Sequence, residues 1–107
     1  MDILIDSQHG QLFPRHVAQK ILKVHHRGTW RTHLRAIGLN PDSNPQLSWG
    51  DIKNLLALQL FLRARYGVHS IHQFSCIFRE GLMEAALTRF KIDLDTEFRR
   101  LQHDYYQ

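Results

Sequence analysis

The chain has 107 residues, a formal charge of +4, 43% apolar residues and 22% charged residues. That size and mix describe one folded domain and exclude a chain too polar to build a core. No apolar run approaches the ~20 residues a bilayer crossing needs. The single cysteine, Cys76, excludes an internal disulfide. The opening "MDILIDSQHG" lacks the basic start and long apolar stretch of a secretion signal. A reducing cytoplasm is therefore the expected setting, with no membrane partner.

The placement of the charge says more than its size. From Gln11 to Asn40 the chain carries six Lys and Arg and no Asp or Glu. These are Arg15, Lys20, Lys23, Arg27, Arg31 and Arg35, joined by His16, His25, His26 and His33. The other eight basic residues face ten acids, a balance of −2. The positive excess thus belongs to one short segment, and a concentrated basic surface attracts polyanions.

In chain order, Ile3 to Ile5 is a short apolar run, "DSQHGQ" reads as a turn, and Leu12 and Phe13 complete a small strand or hairpin. Pro14 suits the first turn of a helix. Val17, Ala18, Ile21 and Leu22 give that helix one apolar face, ending near Val24. "HHRG" breaks the pattern, and Thr29 can cap a second helix. On it Trp30, Leu34 and Ile37 fall at i, i+4 and i+7 and share a face. Arginines, threonines and a histidine fill the positions between, and Gly38 is a natural stop. Two short helices with a tight polar break have the outline of a helix-turn-helix.

"NPDSNPQ" cannot continue a helix. Ser48 with Asp51 three residues on predicts a capping-box start. The run "IKNLLALQLFLRARY" predicts a long helix closed by Gly67. Its middle, Leu55 to Leu62, is apolar nearly all round, which places it either at the centre of the core or in a subunit contact. Ser70 can cap a further helix bearing Ile71, Phe74 and Phe78, and Gly81 interrupts it. Leu82, Ala85, Ala86 and Phe90 carry an apolar face onward. Asp93 or Asp95 can cap a last helix with Leu94, Phe98, Leu101 and Tyr105 as its stripe. The predicted fold is mainly α, a winged helix-turn-helix-like N-terminal part followed by a C-terminal helical extension. At most a small β element accompanies it. One domain, 1–107, divides into a helix-turn-helix over 14–39, a wing-like loop over 40–47, a core helix over 48–67 and C-terminal helices over 70–107 as candidate dimer contact.

The stretches "VAQKILKVHHRGTWRTHLRAIGLNP" and "LSWGDIKNLLALQLFLRARYGVHS" resemble the MerR-type winged helix-turn-helix over roughly residues 14 to 72. Val17-Ala18, Leu22-Lys23-Val24-His25, Thr29-Trp30-Arg31, Ile37-Gly38-Leu39 and Asp51-Ile52 fill that family's places, with Lys23 where glycine is usual. The resemblance implies a sequence-specific DNA-binding protein, a transcriptional regulator that acts as a homodimer on double-stranded DNA. The helix around 29–37 would then enter the major groove. Arg31, Thr32 and Arg35 would face the bases, because arginine pairs bidentately with guanine and threonine meets a thymine methyl or a phosphate. Thr29 and the helix-start N–H groups would hold a phosphate. Arg15, Lys20, Lys23 and Arg27 would neutralise flanking phosphates, with Asn44 or Gln46 reaching the backbone or minor groove.

Two other readings fit the same residues. A basic amphipathic helix is also an ordinary solvated surface. A small helical interaction module, an adaptor or anti-factor, would turn the same basic face to an acidic protein. "HSIHQFSC" places His69, His72 and Cys76 at i, i+3 and i+7, three donors of the type zinc takes, but without an evident fourth. No nucleotide loop, nucleophile elbow or carboxylate pair is present. Neither an enzymatic activity nor a cofactor is expected.

Overall fold

Local chemistry decides where each helix starts and stops, and one long apolar helix gathers them. The structure, a computed structural model, describes residues 10–64 and 70–107. Along the chain run β1 (Leu12–Phe13), α1 (Arg15–Leu22), α2 (Arg27–Ala36), a 3-10 turn (Pro41–Ser43) and β2 (Leu47–Ser48). After them come α3 (Trp49–Arg63), α4 (Ile71–Arg79), α5 (Met83–Arg89) and α6 (Leu94–Tyr105). The fold is mainly α, with one small two-stranded sheet among the described residues. Ile3 to Ile5 and the expected stop at Gly67 lie outside them.

The helix starts follow short-range hydrogen bonds. Ser48 accepts from the Asp51 N–H at 3.1 Å, and the Asp51 carboxylate accepts from the Ser48 N–H at 3.1 Å, a complete capping box. Ser70 accepts from the Gln73 N–H, and Asp93 from the Thr96 N–H. The stops use left-handed residues, with Gly38 at φ 85° after α2 and Gly81 at φ 74° after α4. Pro14 precedes α1 rather than entering its first turn; its carbonyl accepts from Val17 and Ala18.

Helix α3 runs through the centre of the core. Trp49, Ile52, Leu55, Leu56, Ala57, Leu58 and Phe61 are all buried. Of the two places its sequence allows, the core centre is the one it occupies. It packs against α1, α2, α4, α6 and β2. Helix α4 packs on α2 as well as α3. Phe74 of α4, Leu87 of α5 and Leu94 of α6 therefore belong to the same apolar cluster as Trp30 and Leu34 of α2.

The strands depart from the expected wing. β1 and β2 pair antiparallel, Leu12 opposite Ser48 and Phe13 opposite Leu47. Residues 40–47 thus form no hairpin of their own: Asn40 caps the 3-10 turn, and the segment ends by joining a strand that precedes α1. Phe13 is carried by that pairing onto Trp49, ring centroids 4.8 Å apart edge to face, and onto Tyr105 at 5.5 Å. Phe98 and Tyr106 close the far side of Trp49. The Trp49 indole N–H donates to the Tyr106 hydroxyl at 3.3 Å, and that hydroxyl donates to Gln11 Oε1 at 2.9 Å.

Candidate functional site

The basic segment is presented by α1, the turn after it, and α2. Lys23 ends α1 in the left-handed region at φ 59°, a conformation glycine adopts with less strain. Two glutamines fasten this turn. Gln19 Nε2 donates to the Val24 carbonyl at 3.1 Å, and Gln59 Nε2, from α3, donates to the Leu22 carbonyl at 2.9 Å. Val24 is buried between them in sequence. Neither glutamine carries a sequence signal for this role, because each bond depends on how the chain folds back.

Helix α2 begins earlier than expected, and its cap differs. His26, not Thr29, is the N-cap: its Nδ1 accepts from the Thr29 N–H at 3.2 Å. Gly28 makes room for the imidazole, since a Cβ there would stand 3.1 Å from its Cε1. Thr32 donates its hydroxyl to the Gly28 carbonyl at 2.8 Å. Threonine in a helix interior often satisfies its hydroxyl this way.

Trp30, Leu34 and Ile37 face the core, in agreement with their spacing. His33 faces inward too and is buried, so it does not belong to the polar front. Burial lowers its pKa from 6.5, because an imidazolium loses its water there.

On the outer side Arg27, Thr32 and Arg35 are exposed. Arg31 is not a free cation. Its guanidinium is paired with Asp42 of the 3-10 turn, and its side chain is 27% exposed. Asp42 is set in place locally, its N–H donating to Asn40 Oδ1 at 2.9 Å. The hydrogen bond and charge of Arg31 hold the Asp42 carboxyl below the usual carboxylate range, with smaller contributions from Arg35 and Arg27. One carboxylate eleven residues away therefore enters the field of three arginines. Sequence distance concealed this contact; the count of acids within the segment could not reveal it.

The other cations remain open. Arg15, Lys20, Lys23, Arg27 and Arg35 are exposed and make no ion pair among the described residues. Arg15, Gln19, His25, Arg27, Trp30 and Arg31 line a cleft of about 480 Å³, together with Leu34, Pro41, Asn44 and Pro45. The expected metal face is thinner. His69 lies outside the described residues, while His72 Nε2 and Cys76 Sγ are 3.8 Å apart and Arg79 donates to the same sulfur at 3.5 Å. Among the described residues no group of three His, Cys, Asp or Glu gathers as a metal would need.

The chain matches no family model, no curated protein and no solved structure.

Proposed function

We propose that the protein binds double-stranded DNA, setting the exposed side of α2 into the major groove as a sequence-specific regulator would. One observation carries this reading. Five of the six cations in the acid-free segment stand exposed, on two adjoining helices, with no ion pair among the described residues. Folding has no need of such an arrangement; neutralising phosphates does. Arg35 and Thr32 are the residues on the reading side, and Arg15, Lys20, Lys23 and Arg27 flank them. Arg31 enters as a buttressed arginine. Asp42 restrains its fork, so it either reads a base in that fixed pose or exchanges Asp42 for a phosphate. Two-fold pairing would set two such helices about 34 Å apart on one face of the duplex.

A second reading has its own observation. A groove between α1 and α6 is lined by Val17, Ile21, Leu101 and Tyr105 with Lys20 and Lys23 at hand. Its mix of apolar floor and cationic edge suits an acidic amphipathic helix from another protein.

A gel-shift titration on random-sequence and genomic duplexes, repeated over a salt series, separates the two. DNA binding through these cations gives a log–log salt slope of about −3 to −5. A flat slope, or no retarded band at low salt, removes the DNA reading and leaves the protein partner.

A further inference from the structure

The cleft beside α2 holds a feature that DNA binding in general does not require. Trp30 is 2% exposed, and its indole N–H is the one buried side-chain donor without a hydrogen-bond partner among the described residues. Unpaired buried donors are uncommon because they forfeit their bonds to water. Trp49, buried almost as deeply at 4%, has its N–H satisfied by Tyr106. The fold therefore pairs one indole and leaves the other.

What surrounds the unpaired one is chemically uniform. Trp30 forms part of the cleft wall together with Arg15, His25, Arg27 and Arg31, and no carboxylate lines it. The first turn of α2, a ten-residue helix, opens beside it at Arg27. The N–H groups of that turn lack intrahelical acceptors and carry the positive end of the helix dipole. Asp42, the acid of the neighbouring turn, is already taken by Arg31. Donors converging from several directions suit a tetrahedral anion with several acceptor oxygens better than a planar carboxylate.

We propose that this cleft is a phosphate-binding site in which Arg15, Arg27 and the indole N–H of Trp30 take the oxygens of one phosphate group. The phosphate belongs either to the DNA backbone or to a small phosphorylated compound; the shared chemistry is the phosphate monoanion or dianion. The site deepens the DNA reading and rests on it only where the phosphate is that of a duplex. At about 480 Å³ the cleft has room for a phosphate with part of the molecule that bears it.

The two tryptophans supply the test. Their indole N–H resonances are followed by NMR in the full chain during titration with sodium phosphate, with sodium chloride at matched ionic strength, and with a short duplex. The Trp30→Phe variant assigns the signals. Saturable movement of the Trp30 signal with phosphate, with that of Trp49 still, is expected, and Arg27→Gln should weaken it about tenfold. Movement with the duplex alone assigns the site to backbone phosphate; movement with free phosphate as well opens it to small ligands. A Trp30 signal unmoved by both, or moved equally by chloride, overturns the site. Arg27→Gln keeps the test decisive if Trp30→Phe fails to fold. A duplex retarded in gels while the Trp30 signal stays fixed defeats the site and spares the DNA reading. Phosphate binding without any retarded duplex does the reverse.

Discussion

The surroundings of Trp49 and of Trp30 are built from similar parts to opposite ends. Around Trp49 the chain closes on itself. Phe13, Phe98, Tyr105 and Tyr106 pack on the indole, and the Tyr106 hydroxyl links its N–H to Gln11. Polar groups there are spent within the molecule. Around Trp30 the indole seals the core, but its N–H has no partner and the side chains beyond it are cations without acids. The first region accounts for folding. The second keeps hydrogen-bonding capacity that the fold does not use, and unused capacity beside a basic cleft is where a ligand is to be sought.

The largest expected effect lies in the closed region. Phe13→Ala removes a ring at 2% exposure from the contact joining β1, Trp49 and Tyr105. It should cost about 3–5 kcal/mol in urea-induced unfolding. A loss below about 1 kcal/mol would show that the aromatic cluster is not the staple described. Next comes the open region. Arg35→Ala should reduce preference for the specific duplex by about 1–3 kcal/mol. Lys20→Ala should weaken every duplex alike and make the salt slope shallower by about one unit. Equal effects from both, read in competition gel shifts, would mean that α2 does not read bases.

A smaller effect separates the two regions at one residue. Lys23→Gly relieves a left-handed backbone and should stabilise the fold by up to about 1 kcal/mol. It also deletes a phosphate contact, so the denaturation midpoint should rise while DNA affinity falls. A variant that gains affinity would contradict the role given to Lys23. The smallest effect is a pH dependence. The folded pKa of His33 lies below the 6.5 of an open imidazole, so the unfolded chain takes up the proton first. Its contribution is fully present above pH 6.5 and is lost as pH falls from there through the folded pKa. Denaturation of the wild type and His33→Gln across pH 5 to 8 should diverge on the acid side. Parallel curves would place His33 in water.

The sequence by itself determined what operates within one helical turn: the Ser48–Asp51 box, the Ser70 and Asp93 caps, the stops at Gly38 and Gly81, and the apolar face shared by Trp30, Leu34 and Ile37. It also determined that a basic segment would be free of acids along its own length. These follow from interactions three or four residues apart, which spacing records directly. Only the tertiary structure decided the rest. It turned His33 inward, brought Asp42 onto Arg31, joined residue 12 to residue 48 in a strand pair, fastened the turn with Gln59, and paired the Trp49 indole while leaving that of Trp30 alone. Each of these depends on where separate elements come to rest against one another, and the period of a single helix holds no information about its neighbours.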